Sequence, residues 1–505
     1  VAAGSIYLTL RNILSTLIGI FGIAFLARAI TQREMGVLTA LTLISSFIQL
    51  ASNIGLPQAL AKYVAELKGR GEDFSAYFIS SIIIKTSAAL LMCLILYLFS
   101  GEISSTLLKS PSMHSLVELT AIYSFIFALM PIFGNLLLGA GLLKWIAICD
   151  VASAATNWTA MILLLFLGYG VDGVIIGWIL GGLCGLTLYA AISRRLIKLD
   201  GKAFNRALTL TPSLLRFSWP LLIASMVTFL YTRYDQALVI AFLPLQSVGI
   251  YNVSCRAFGV LSGISMALGQ SLFPYYGMTY GRGDHKAIST AIKKATRYTM
   301  LIMFPLTLGL LSSAKPAITL FAGQQYESGW TVLAVMAIFG LTYGISSALT
   351  GLLVIYERPK TVMVLRVASV AFSLTLLPTL RLLGLNTLAL IRGTSLLLAL
   401  ILTIHFLSKI IDVKIDQETF IKSLISSVIM AVIVYLTQQI CYSKFLLPLY
   451  VLIGAAAYLI EIRAFKVLNH SDINLLTQII GERGASLIAK LMGCGFEAKA
   501  AKDMD

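Results

Sequence analysis

The sequence predicts an all-α polytopic membrane protein of about 14 transmembrane helices. Its 505 residues are 58% hydrophobic and only 12% charged. The mean hydropathy is +0.90. Apolar runs of about 20 residues recur from end to end, each long enough for a helix to cross a hydrocarbon core about 30 Å thick. This composition excludes a soluble domain. The first apolar run belongs to a continuous series and does not read as a removable leader.

In chain order the spans are expected near 6–29, 36–60, 76–100, 116–140, 145–168, 171–192, 216–243, 248–274, 297–313, 330–355, 361–383, 385–407, 419–441 and 445–463. Alternate loops then differ sharply in charge. One side holds Lys62, Lys68, Arg70, Lys144, Arg194, Arg195, Lys198, Lys202, Arg206, Arg216, Arg282, Lys286, Lys293, Lys294, Arg297, Arg358, Lys360, Lys409, Lys414 and Lys422. The other holds only Arg28, Arg33, Lys109, Lys315, Arg381 and Lys444. Basic loops are retained on the cytoplasmic side, so both termini are expected there. The same placement explains the net charge of +16 without nucleic acid, because basic loops between spans meet anionic lipid headgroups. After Arg463, the residues Ile473, Leu476, Ile480, Leu487 and Leu491 recur at helical spacing. They fit an amphipathic helix on the inner leaflet or a solvated helix packed on the loops.

The chain also repeats itself. Gly36 and Gly249 sit in matching contexts (Met35-Gly36-Val37-Leu38 and Val248-Gly249-Ile250-Tyr251). Gly69-Arg70-Gly71-Glu72-Asp73 is matched by Gly281-Arg282-Gly283-Asp284-His285, and Val151-Ala152-Ser153 by Val367-Ala368-Ser369. All lie at nearly one offset, so spans 1–6 correspond to spans 7–12. Six is even, so the halves are parallel repeats, an arrangement used by secondary transporters with the substrate site between halves. The expected domains are 1–212 and 213–410, each a six-helix bundle, then 411–465 for spans 13 and 14, and 466–505 as a cytoplasmic tail.

Six basic residues remain inside apolar helices: Arg11, Lys85, Arg233, Arg256, Arg366 and Arg392. A charge at the bilayer centre costs roughly 2.5–3.5 kcal/mol on insertion scales, so it must face protein or a hydrated cavity. Intramembrane cations point to an anionic cargo. Polar residues line up on the same helices. Span 1 carries Ser5, Thr9, Asn12, Thr16 and Gly19, and span 2 carries Thr42, Ser45, Ser46, Gln49, Ser52 and Asn53. Span 7 carries Thr228, Tyr231, Thr232 and Asp235, and span 8 carries Asn252, Arg256, Gly259 and Gly263. These stripes fit either a central hydrated cavity or hydrogen bonding between helices. Arg233 and Asp235 point to nearly opposite faces. Asp235 is left to neutralise Arg256, to take up a proton, or to form a plain structural ion pair. Lys85 and Arg366 are expected to snorkel toward an interface, and Arg392 receives no role. Gly173, Gly177, Gly181 and Gly185 of span 6 suit close helix packing.

Other chemistry is missing. No phosphate-binding loop of the Walker type is present. His114, His285, His405 and His470 form no metal-ligand pattern, and six scattered cysteines suggest no disulfide framework. Asn157-Trp158-Thr159 is a glycosylation sequon only in form, since it lies within a span. No cofactor is expected beyond coupling to H+ or Na+.

Two segments carry a family resemblance. The first is Leu26-Ala27-Arg28 … Met35-Gly36-Val37-Leu38 … Asn53-Ile54-Gly55-Leu56 … Ala59. The second is Asp235 … Val248-Gly249-Ile250-Tyr251-Asn252 … Leu272-Phe273-Pro274 … Gly281-Arg282-Gly283-Asp284. Over roughly residues 5–465 the chain resembles the polysaccharide-transporter, or oligosaccharide-flippase, branch of the multidrug/oligosaccharidyl-lipid/polysaccharide (MOP) exporter superfamily. That resemblance implies two six-helix bundles in a V around a cavity lined by spans 1, 2, 7 and 8. It also implies alternating access, and arginines that meet a lipid diphosphate.

The resulting expectation is a flippase, not an enzyme, that moves a polyprenyl-diphosphate-linked oligosaccharide to the outer leaflet of the cell membrane. Its substrate residues would be Arg11, Asn12, Gln49, Asn53, Arg233, Asn252 and Arg256, with Asp235 as the candidate for cation coupling. Its partners would be the lipid-linked oligosaccharide and membrane lipids, and it would act as a monomer. A cation-coupled multidrug or metabolite antiporter of the same fold is the alternative, and a membrane glycan polymerase or ligase a more distant one.

Overall fold

The computed structural model describes residues 2–198, 201–380, 384–467 and 472, and every regular element among them is helical. In a bilayer this follows from the backbone, whose N–H and C=O groups must be satisfied within the segment. Two compact units divide the chain, Val1–Val253 and Ser254–Asp505.

The first unit contains α1 (Ala2–Ala29), α2 (Gln32–Ala51), α3 (Leu56–Gly69), α4 (Ser75–Leu98), α5 (Ser100–Leu107), α6 (His114–Gly139), α7 (Leu143–Phe166), α8 (Gly170–Ser193), α9 (Gly201–Phe242) and the start of α10 (Leu245–Gly281). Thr31 caps α2 in a capping box: its side chain accepts from the Glu34 amide, and the Glu34 carboxylate accepts from the Thr31 amide. The expected single span 36–60 is broken between α2 and α3. Ile54 and Gly55 both take positive φ (47° and 70°), and Pro57 sits in the first turn of α3. A Cβ at Gly55 would lie 2.8 Å from the Leu221 Cβ, so the break also admits α9 at close range. The apolar face of α3 (Leu56, Leu60, Val64) then packs with Phe78, Ile132, Leu136 and Leu214 from α4, α6 and α9.

The glycine face expected on span 6 is a packing face. Cβ atoms built at Gly177 and Gly185 would lie 2.6 Å from Met161 N and from Met130 Cε, and one at Gly181 would lie 2.7 Å from Asn157 Cα. Antiparallel α7 and α8 therefore meet backbone to backbone, riveted by the Ser153 hydroxyl donating to the Gly181 carbonyl (2.8 Å).

The repeat has a physical counterpart here. A Cβ at Gly36 would be 2.7 Å from the carbonyl carbon of Leu245, and one at Gly249 would be 3.0 Å from that of Gln32, with each carbonyl oxygen closer still. The equivalent glycines thus face the first turn of each other's helix, reciprocally, at the starts of α2 and α10. The Gln246 amide donates to the Gln32 side-chain oxygen across the crossing (2.6 Å). The compact units part at residue 253, whereas the sequence leads to an expected boundary at 212, because α9 and the start of α10 pack on α2.

The second unit continues α10 and adds α11 (His285–Ser312), α12 (Ala314–Ala322), α13 (Trp330–Ile338), α14 (Gly340–Ile355), α15 (Pro359–Thr375), α16 (Leu385–Ser408), α17 (Gln417–Ile440) and α18 (Leu447–Ala464). Its core gathers Ile288, Ile292, Met300, Leu349, Leu352 and Leu407. Three polar contacts fasten α17 and α18 to α11. Arg297 reaches Asp416 Oδ2 (2.7 Å) and Thr419 Oγ1 (2.5 Å) at the start of α17, and Asp472 Oδ2 (2.8 Å) past α18. One turn further along α11, the Tyr458 hydroxyl donates to the Leu301 carbonyl (2.8 Å). At the far end, the Gln438 amide donates to the Ser312 carbonyl (3.0 Å).

The expected count of about fourteen spans is approximate. Among the described residues eleven helical segments are long and apolar enough to cross a membrane, and two bent pairs bring the total to 13. The pairs are α11 with α12, bent by 77°, and the segment 324–338 with α14, bent by 42°. The expected span 361–383 is α15, whose 17 residues sit at the lower limit for crossing. The helix expected over 473–491, and Cys494, lie outside the described residues.

Candidate functional site

Arg11 lies on α1 and is held from α7. Its Nη1 donates to Asp150 Oδ2 at 3.0 Å, while Nε and Nη2 both donate to the Asn12 side-chain oxygen (3.2 and 2.8 Å). Asp150 is fixed in turn by the Tyr189 hydroxyl of α8, which donates to Oδ1 at 2.7 Å. Sequence reasoning missed Asp150 and Tyr189. The signal was present, since Asp150 falls inside the expected span 145–168. Beside this group a groove of about 540 Å³ opens among α1, α6 and α7.

Gln49 and Asn53 belong to a second group. The Gln49 amide donates to Ser45 Oγ (3.0 Å), and Lys85 of α4 donates to Asn53 Oδ1 at 3.0 Å, with the Gln49 carbonyl at 3.5 Å. Lys85 has 0% exposure, which corrects the expected snorkelling. Its ammonium turns inward to the α2–α3 break, where a side-chain amide and a backbone carbonyl receive it. No acid lies within ion-pair distance of it among the described residues. The hydroxyls along α2 are satisfied within the helix. Thr42, Ser46 and Ser52 donate to carbonyls of their own helix, at Thr39, Thr42 and Gln49, and so need no partner helix.

The third group is on α9 and α10. Arg233 is half-buried and donates to Gln236 Oε1, one turn on, at 2.9 Å. No carboxylate pairs with it among the described residues. Asp235, two positions along, is buried and accepts from the Tyr251 hydroxyl at 2.9 Å. The two point to different environments, as their spacing requires. Asn252 is buried and Arg256, one turn later on α10, is exposed. Arg366 and Arg392 are half-buried in the second unit. The described contacts join Arg11 with Asn12 and, through Lys85, Gln49 with Asn53, while Arg233 and Asp235 lie on α9 and Asn252 and Arg256 on α10.

Comparison with known proteins adds the following. A family described as "Polysaccharide biosynthesis protein" matches residues 25–331. The succinoglycan biosynthesis transport protein ExoT of Rhizobium meliloti is 24% identical over 326 residues, 63% of each chain, so this chain spans under two thirds of that relative's length. The probable low-salt glycan biosynthesis flippase Agl15 of Haloferax volcanii is 22% identical over 97% of this chain and 99% of its own. Among solved structures, the lipid II flippase MurJ in an inward closed conformation superposes with a TM-score of 0.75 at 16% identity, covering 90% of this chain and 98% of its own. An inward-facing multidrug resistance MATE family transporter of the MOP superfamily gives 0.60 at 13% identity, covering 80% and 98%. At these identities the structural likenesses establish a common fold.

Proposed function

This chain belongs to the polysaccharide biosynthesis protein family, and from that premise we propose that it is a flippase for a polyprenyl-diphosphate-linked oligosaccharide. It carries the glycan headgroup from the cytoplasmic to the outer leaflet of the cell membrane by alternating access between two bundles. Both termini are cytoplasmic, and the unit of function is a monomer. The observation that carries this reading is Arg233: a guanidinium in an apolar helix whose partner is a neutral amide, with no carboxylate paired to it among the described residues. Such a cation is suited to a diphosphate, which it meets through charge-assisted, bidentate hydrogen bonds. Arg256, exposed on α10, is the second contact. Asn252 and, on the α2 side, Gln49 and Asn53 supply neutral polar contacts. Arg11 differs, because Asp150 already compensates its charge. Asp235, with Tyr251 bound to it, is the site of H+ or Na+ coupling. The prenyl chain stays in lipid, and no bond is made or broken.

The test is transport by the full-length chain in liposomes. Arg233→Gln combined with Arg256→Gln should lower translocation of a polyprenyl-diphosphate glycan at least tenfold and leave extrusion of neutral or cationic drugs unchanged. Unaltered flipping in the double variant overturns the reading. Drug export without lipid translocation establishes the antiporter instead, and glycan bond formation in detergent establishes the enzyme.

A further inference from the structure

We propose that the groove among α1, α6 and α7 is a sugar-binding subsite, which receives hydroxyl-bearing rings of the glycan and not the diphosphate. The proposal rests on the flippase reading above and divides its cargo between two places. Arg11, Asn12, Asp150, Ser153, Asn157 and Trp158 border the groove, whose volume is about 540 Å³, within the usual range for small-molecule sites.

Four features argue for a neutral polyol. The first is charge. Arg11 and Asp150 are ion-paired at 3.0 Å, so the groove carries no net charge from them and has little to offer a dianion. The second is hydrogen-bonding capacity. Asn157 borders the groove and its side-chain oxygen is buried without a hydrogen-bond partner, a costly state that a turn of the amide toward a ligand hydroxyl relieves. Arg11 uses one N–H each of Nη1, Nη2 and Nε on its neighbours. Of its five donors, one on each terminal nitrogen therefore remains for a ligand oxygen. The third is the Trp158 indole, which borders the groove and is held against Gly22 of α1, a fixed apolar edge for the C–H face of a pyranose. The fourth is rigidity. Asp150, Ser153 and Asn157 share α7, which is locked to α8 at Gly181 and Gly185, and Tyr189 holds the Asp150 carboxylate. A binding surface on packed helices loses little freedom when occupied. The sequon around Asn157 has no use as an acceptor inside a span, but its amide and indole fall where a sugar would need them.

The experiment compares two probes on the full-length chain in lipid nanodiscs: undecaprenyl diphosphate with no sugar, and glycan-bearing polyprenyl diphosphates extracted from the host's membranes. The unaltered protein should bind the glycan-bearing lipid more tightly. Asn157→Ala and Trp158→Leu should each lower that affinity at least fivefold while binding the sugar-free lipid within twofold of the unaltered protein. An equal loss for both probes, or no loss for either, overturns the subsite. If the unaltered protein binds the two lipids equally, the subsite fails and the flippase reading stands. If it binds neither, the flippase reading itself fails.

Discussion

Replacing either glycine at the α2–α10 crossing by alanine tests the reciprocal packing directly. A methyl group at Gly36 would stand 2.7 Å from the Leu245 carbonyl carbon, and ordinary contact begins near 3.4 Å. The helices must therefore part by at least about 0.7 Å, against backbone that has no rotamer with which to yield. Overpacking of this kind costs about 1–3 kcal/mol, and Gly249→Ala should fall in the same range. The double variant is the informative one. Both methyl groups are relieved by the same separation, so the second should add little once the first has opened the crossing. The coupling energy should then be about 1 kcal/mol or more in favour of the pair. Reversible unfolding in mixed detergent and SDS micelles, read by tryptophan fluorescence, would measure all three variants. Single variants within about 0.5 kcal/mol of the unaltered protein, or costs that simply add, would show that the two glycines do not share one contact.

Other consequences can be checked in the same assay. Asn53→Leu removes the side-chain acceptor of the fully buried Lys85 and should cost about 2–3 kcal/mol; in a Lys85→Met background the same change should cost under about 1 kcal/mol. Arg297→Met leaves the half-buried Asp416 and the buried Asp472 without their cation and should destabilise the second unit by about 3 kcal/mol. Burial alone would raise the Asp416 carboxyl, but hydrogen bonds from Arg297 and Thr419 outweigh it and hold it below the usual carboxylate range. Its contribution is therefore fully present above the unfolded-state pKa and is lost as pH falls through the lower folded value. Stability against acid should accordingly drop later for the unaltered protein than the titration of a free aspartate would give, and Asp416→Asn should abolish that part of the pH dependence.

Much of this fold is written in hydropathy, because a helix that crosses lipid needs only length and apolarity. The glycine face of α8 was legible for the same reason, since small residues every fourth position leave few uses other than close approach. The break at Ile54 and Gly55 left a mark in Asn53, Gly55 and Pro57, but the apolar runs on either side join into one span when hydropathy alone is read. The helical extension of α9 back to Gly201 was hidden by Lys202 and Arg206, which read as a loop once the membrane sets the expectation. The site was less legible than the fold. Arg11, Lys85 and Arg233 are alike as charges in apolar runs, yet their partners are a carboxylate, a side-chain amide across the helix break, and an amide one turn along. Which partner each finds depends on helix rotation, and a sequence fixes rotation only through patterns such as the α8 glycines.

The fastening of α17 and α18 also constrains how the protein can work. Arg297 and Gln438 secure α17 to α11 at both ends of α17, and Tyr458 secures α18 to α11 at Leu301. A helix pinned at one point can pivot, but one pinned at both ends, as α17 is, can only travel with its anchor. The last two membrane helices are ballast for α11 and not a lever against it, so any rearrangement that displaces α11 must carry all three as a single block.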